Sequence, residues 1–482
     1  MIRARALAFT LLLAASPAAA QTTSQSADPY FASGRSALAT ALARKPNTGR
    51  ARNVIVFIGD GMGVSTITAA RIFEGQQRGV DGESNALAFE RLPYVALSKT
   101  YSTDTQVSDS AATATAIMTG VKTRNRLIGV GPGTKPFDCE TSRTNSLTTI
   151  AELARAKGKA AGLVTTTRVT HATPAATYAH AAFRDWEGDT DMPPAVLAAG
   201  CADIARQLVQ APERTRFNVA FGGGLSRFKP KGAGGVRADG RDLTREWQAV
   251  PRSTFVSNAA GLSTLRPGRV DHVLGLFAPE HLPYEADRAP TGPIPSLADM
   301  TAKAIDLLAA DRDGYFLLVE GGKIDMANHQ NNAARALGDT VAMADAVKVA
   351  LAKVDLKNTL VIVTADHSHG LVINGYAPRN APIAGLAGNE GAPIKGGDGK
   401  AYTTLTYATG PGGPKGDATR PDPASSDLED EDYVQSATVH LPSSAHSGED
   451  VAIFAGGPQA HLLEGVVEES YIFHVMRHAL GL

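Results

Sequence analysis

Asn53-Val54-Ile55-Val56-Phe57-Ile58-Gly59 is an unbroken apolar run, and Asp60-Gly61-Met62-Gly63 continues from it without a gap. A strand with one wet face alternates apolar and polar residues; a run that is apolar throughout belongs to a strand buried on both faces. Runs of the same kind recur at 160–166, 217–221, 272–277, 315–319, 360–364 and 451–455. Between several of them lie helical patterns. Leu337, Val341, Ala344, Val347, Leu351 and Val354 recur at steps of three and four, and 297–308 and 471–480 repeat that spacing. Buried strands alternating with helices predict an α/β fold with a mostly parallel central sheet and helices on both faces. Two stretches break the rhythm. Residues 229–241 are Gly-rich and basic, and 376–444 is long, rich in Gly, Pro and Asp, and reads as an inserted loop-rich subdomain.

The N-terminus has a separate reading. Arg3 and Arg5 open it, residues 7–15 are apolar, and Ala18-Ala19-Ala20 precede Gln21. This three-part layout predicts a signal peptide over 1–20 and an exported protein, periplasmic or secreted. The apolar run is shorter than the ~20 residues that span a bilayer, and no later stretch predicts a membrane anchor. Residues 21–50 read as an N-terminal arm or short helix ahead of a catalytic domain at 51–482. With 47 basic and 48 acidic residues and no basic run, the chain is not expected to carry a nucleic-acid-binding surface. Cys139 and Cys201 form an even pair in an oxidising compartment, which favours a disulfide over two buried free thiols.

In an open α/β sheet, ligands bind beyond the carboxyl ends of the strands, so the residues just after each apolar run are the ones to weigh. Asp60 comes after the first. Glu320-Gly321-Gly322, then Asp325 and His329, come after the run at 315–319, and Asp366-His367 after the run at 360–364. His446 stands just before the last run. Asp and Gly end many strands, so one such cluster means little; three at equivalent positions are better explained by a shared metal site. Imidazole with carboxylate suits zinc, and carboxylate with hydroxyl suits magnesium. Asp325 and His329, four residues apart, can aim at one ion from one helical turn. Ser110, in Asp109-Ser110-Ala111-Ala112-Thr113-Ala114-Thr115-Ala116, lies where a helix begins at about Ala111. A helix start offers free N–H groups and a favourable dipole to a phosphate, although a serine there is more often only a cap. No Gly-x-Ser-x-Gly elbow is present, which leaves a Ser-His-Asp hydrolase little support.

Several stretches together resemble the alkaline phosphatases. They are 57–63, 109–116, 165–174 (Thr-Thr-Thr-Arg-Val-Thr-His-Ala-Thr-Pro), 319–325, 364–369 and 446–454. The likeness runs in order from about residue 50 to the end, and Arg184-Asp185-Trp186 is closer to the animal branch than to the enteric bacterial one. The resemblance implies hydrolysis of phosphate monoesters through a covalent phosphoserine on Ser110. It implies one zinc on Asp325, His329 and His446, and a second on Asp60, Asp366 and His367. It further implies a magnesium on Asp60, Thr173 and Glu320, with Arg184 gripping the phosphate oxygens. From its spacing alone Arg184 would be a surface residue. His171 resembles the animal enzymes at a position beside the magnesium. Met326 replaces the lysine or histidine common there and cannot bond a phosphate-bound water, which predicts weaker magnesium binding. The family is typically homodimeric, with the arm and the insert as contact elements. His180, His369, His440, His474 and His478 are read as structural or exposed. Two other readings are a phosphodiesterase or sulfatase-like hydrolase of the same superfamily, and a non-catalytic phosphate- or metal-binding relative.

Overall fold

The first apolar run forms β1 (Asn53–Gly59), buried from Val54 onward. The computed structural model describes residues 24–389 and 392–482, so the segment read as a signal peptide lies outside the described residues. In chain order the sheet also contains β2 (Tyr94–Lys99), β3 (Ala160–Arg168), β4 (Val219–Gly223), β5 (Ser253–Val256), β6 (His272–Leu276), β7 (Tyr315–Gly321) and β8 (Thr359–Ala365). A small second sheet uses β9 (Leu371–Ile373), β12 (Leu405–Gly410) and β13 (Ala437–His440), while β10 (Gly388–Asn389) pairs with β11 (Ala392–Pro393). β14 (Val451–Gly456) and β15 (Gly465–Glu468) return to the main sheet. Its ten strands are ordered β15-β2-β14-β8-β1-β7-β3-β4-β6-β5, and β14 runs antiparallel to both of its neighbours.

Helices cover both faces, as the periodicity predicts. Those that bear on the site are α2 (Val64–Gln77), α3 (Ser110–Thr119), α4 (Leu297–Leu308), α5 (Lys323–His329), α6 (Ala333–Lys353) and α7 (Tyr471–Leu480); a separate helix, α1 (Pro29–Ala43), precedes β1 in the chain. Alternate residues of β1 feed two separate cores. Val54, Val56 and Ile58 pack with Ile117 of α3 and Ile472 and Met476 of α7. Ile55 and Phe57 pack with Met300 of α4 and Leu337, Met343 and Val347 of α6. This two-sided burial explains the unbroken apolar run.

Strands β2, β5 and β15 carry no such run. β5 and β15 are the edges of the sheet, and β2 lies next to β15. In β2, Val95 and Leu97 face solvent while Ala96 and Ser98 face inward. One-sided strands leave a short alternating pattern that is hard to separate from loop. Residues 376–444 likewise hold strands too short for a periodic signal, and β9, which pairs with β12, starts at Leu371. Cys139 and Cys201 are joined, with Cα atoms 6.2 Å apart, beside a small cluster of Ala182, Trp186 and Met192.

Residues 24–46 form a unit of their own. Its helix α1 starts with Pro29 in the first turn and Asp28 accepting from the Tyr30 and Phe31 N–H groups, and none of its residues is buried. Among the described residues no helix is long and apolar enough to cross a membrane.

Candidate active site

β8, β1 and β7 are neighbours, and Gly59 is in register with Ala365 on one side and Gly321 on the other. Asp60, Glu320 and Asp366 therefore emerge side by side at the carboxyl end of the sheet, all with no exposed surface. Gly61 turns the chain with φ of 68°, and a Cβ there would stand 2.6 Å from the His369 ring. The Gly61 and His367 N–H groups both donate to Asp366 Oδ1, at 3.1 and 2.9 Å.

Helix α5 begins one residue after β7 and places Asp325 and His329 one turn apart, with His329 Nε2 3.4 Å from Asp325 Oδ2. His446 arrives from the segment before β14. Its Nδ1 is 2.9 Å from the Ser108 carbonyl, and its Nε2 is 3.3 Å from His329 Nε2 and 3.6 Å from Asp325 Oδ1. The His367 and His446 rings stack at 3.6 Å.

α3 starts at Ser110, one residue ahead of the expected position, because Asp109 takes the cap and accepts from the Ala112 N–H. All of α3 is buried; Ala111, Ala112, Ala114 and Ala116 keep it slim enough to lie between the sheet and its neighbours. It ends at Gly120 with φ of 76°, the left-handed conformation that favours glycine. Ser110 Oγ lies 3.3 and 3.4 Å from the two oxygens of Asp60 and 3.1 Å from His367 Nε2. Arg184 faces the same space. Its Nη1 donates to Asp109 Oδ2 at 3.0 Å, and its Nη2 is 3.2 Å from His171 Nε2. Thr173 approaches Glu320 closely enough to favour its charged form, yet its hydroxyl makes no hydrogen bond of ordinary geometry.

His369 changes the sequence picture. Of the two readings left open for it, structural or exposed, the structural one holds: it is buried, and its Nε2 bonds Asp325 Oδ1. Its ring lies 4.4 Å from that of His329 and 4.9 Å from that of His446. His367 and His369 are two apart, the spacing that puts both side chains on one side of an extended chain; that was the available signal. Met326 packs against Tyr284, Ala327 and Ala336.

The electrostatics favour a bound cation. Burial, then the charges of Asp325, Asp366 and Glu320, push the Asp60 carboxyl well above its usual range. Burial raises Glu320 to about 7 against the opposing Thr165 and Thr167 hydroxyls, and raises Asp366 to about 6. Asp325 goes the other way: His369 and His329 overcome its burial and hold it well below the ordinary value. Burial and then His446 depress His367, which favours the neutral, ligating ring. Asp366 Oδ2, Glu320 Oε1, and the Nδ1 atoms of His171, His367 and His369 are buried without a hydrogen-bond partner. Buried polar groups are normally satisfied, so this donor set fits divalent ions.

Three groups bring ligand atoms within 4.8 Å of one another: Asp325, His329, His369 and His446; Asp60, Asp325 and His367; and Asp60, His171 and Glu320. The first adds His369 to the expected trio. The second contains Asp325 where the resemblance has Asp366, although Asp366 Oδ2 is 3.4 Å from His367 Nε2.

A family model described as alkaline phosphatase matches residues 51–482. The chain is 45% identical over 451 residues to the tissue-nonspecific alkaline phosphatase isozyme of Mus musculus, covering 90% of this chain and 85% of the relative. It is 44% identical over 450 residues to an alkaline phosphatase of Gadus morhua, covering 90% and 92%. Among solved structures it is similar to the alkaline phosphatase of Thermus thermophilus, with a TM-score of 0.66 at 26% identity over 92% of this chain and 94% of that one.

Proposed function

Because the chain belongs to the alkaline phosphatase family, and so hydrolyses phosphate monoesters, we propose that Ser110 is the nucleophile and Arg184 the phosphate grip. The observation that carries this reading is the Ser110 hydroxyl, 2% exposed, aimed between Asp60 and His367 at the start of a buried helix. Ser110 Oγ attacks phosphorus, the ester O–P bond breaks, and the alcohol leaves with a proton. Water then cleaves the phosphoserine, restoring the hydroxyl and releasing inorganic phosphate. The guanidinium of Arg184 offers a planar fork to two non-bridging oxygens, and the N-terminus of α3 adds unpaired N–H groups. Incubation with labelled substrate and an acid quench should leave phosphate on the wild-type chain and none on Ser110→Ala. A Ser110→Ala variant that turns over 4-nitrophenyl phosphate at the wild-type rate would falsify the assignment.

The family is metal-dependent, and the partnerless carboxylate and imidazole atoms support the same dependence here. In our reading Asp325, His329 and His446 hold one zinc, and Asp60, Asp366 and His367 a second. Asp60, Thr173 and Glu320 hold magnesium, with His171 beside them. When bound, such ions lower the pKa of the serine hydroxyl and stabilise both oxygens of an in-line displacement. Elemental analysis tests the counts, and chelation with separate return of zinc and magnesium tests the types.

Export to the periplasm or medium, a catalytic domain over 51–482 carrying the insert, and a homodimer complete the proposal. Exposed Phe31, Leu38 and Leu42 on α1 support contact with a second copy. N-terminal sequencing of the exported protein, expected to begin near Gln21, and light scattering check these points; a monomeric mass would remove the dimer.

A further inference from the structure

Arg168 ends β3, three residues before His171, and its guanidinium is held on every side. Glu187 grips it twice, at 2.7 Å on Nε and 2.6 Å on Nη2, and Glu280 takes Nη1 at 3.2 Å. Thr170 Oγ1 in turn donates to Glu187 Oε2 at 2.5 Å. Paired bonds of this kind between a guanidinium and a carboxylate fix orientation as well as distance. The pair is largely buried, with the Glu187 side chain 6% exposed and that of Arg168 16%.

The anchored arginine then fixes a histidine. Arg168 Nη1 is 2.6 Å from His281 Nε2, and the Arg168 backbone N–H meets His281 Nδ1 at 3.2 Å. A neutral imidazole has one bare nitrogen, so one of these two contacts is the hydrogen bond and the other is close packing, and neither leaves room for a second ring proton. Burial, then His171 and Arg168, accordingly push its pKa down to about 2. The immobile ring meets the ring of His171 edge to face, centroids 5.4 Å apart. His171 Nε2 is the acceptor for Arg184 Nη2 at 3.2 Å.

We infer that Glu187, Arg168 and His281 are positioning residues that fix the His171 ring and, through it, the plane of the Arg184 fork. Asp109 holds one side of that fork at 3.0 Å, and His171 holds the other. With one brace only, the guanidinium can swing about the Asp109 contact; with both, its three remaining N–H directions are set before phosphate arrives. None of the three residues touches phosphate, and their action is on binding geometry. The inference rests on the reading of Arg184 as the phosphate-binding group.

Glu187→Gln and His281→Phe test it in the full, metal-loaded chain. The first loosens the grip on Arg168, and the second keeps a ring while removing its nitrogens. Each should raise KM for 4-nitrophenyl phosphate and Ki for inorganic phosphate on the order of tenfold, with a smaller change in kcat and unchanged metal content. Arg168→Lys, which keeps charge without the fork, should rescue neither constant. In an Arg184→Ala background the same substitutions should move Ki by less than about twofold, since the group they position is gone. Equal changes in both backgrounds overturn the inference, as do single variants that lose thermal stability yet keep Ki and KM. If Arg184→Ala itself binds phosphate as tightly as the wild type, the reading of Arg184 falls first. Having two independent variants means that a folding failure in one leaves the other to decide.

Discussion

Asp325 is shared: one oxygen bonds His369 and the other faces His329. Removing the His369 ring leaves Asp325 free to turn and lets water into a buried site. We expect His369→Ala to lower metal affinity by about 10- to 100-fold, the usual effect of deleting a group that orients a ligand. Competition with a chelator measures it, and an unchanged affinity would assign His369 to packing alone. The contrast with the other site residues shows what a sequence can display at this scale. Asp60, Glu320 and Asp366 were legible because each ends or directly succeeds an unbroken apolar run. Ser110 was legible only as a helix start with small neighbours, and Arg184 only through the family motif. His369 needed knowledge that residues 367–369 are extended, which no periodicity in so short a stretch reveals.

Asp109 serves a helix and a side chain at once, since it caps α3 and holds Arg184. The two roles separate by substitution. Asn caps about as well as Asp, whereas Ala costs about 1 kcal/mol at such a position. Asp109→Asn should therefore keep the wild-type urea midpoint while raising KM and Ki for phosphate several-fold, because the guanidinium loses its charged partner. Asp109→Ala should raise them equally and also destabilise; equal midpoints for the two variants would show that the cap contributes nothing. A second element-scale expectation concerns the disulfide. It joins residues 62 apart, and the loop-entropy account gives about 4 kcal/mol for a loop of that size. Cys139→Ser with Cys201→Ser should lose a stability of that order in urea denaturation, with KM less affected. Strands buried on two faces were readable as unbroken apolar runs, and the long amphipathic helices by their spacing, with α4 and α7 matching at both ends. Short outer strands such as β2, buried on one face, and β15, with no buried residue, were not, because so many of their residues answer to solvent.

At the scale of the whole molecule, the order β8-β1-β7 turns separate strand ends into one site. No local pattern announces that order; it comes from pairings between segments hundreds of residues apart. Its consequence is a group of carboxyls that no folded chain holds comfortably charged without cations. In the metal-free protein Glu320 is raised from 4.5 to about 7 and Asp366 from 3.8 to about 6, with Asp60 raised as well. Between the unfolded and folded values the native state binds more protons than the unfolded chain. Their stabilising contribution is thus complete below the unfolded values and is lost as pH rises through about 6 and about 7. Asp325 has the opposite sign, but its depressed pKa places its loss at pH below 3.8, outside this window. Ions reverse the trend, because they take the deprotonated ligands, and binding to the native state alone stabilises it. Melting temperatures of chelator-treated protein should therefore fall from about pH 5 to about pH 8 relative to metal-loaded protein, the two curves diverging as pH rises. Parallel curves would mean that these carboxyls share their burden with some other buried cation, and the metal assignment at the three strand ends would have to be abandoned.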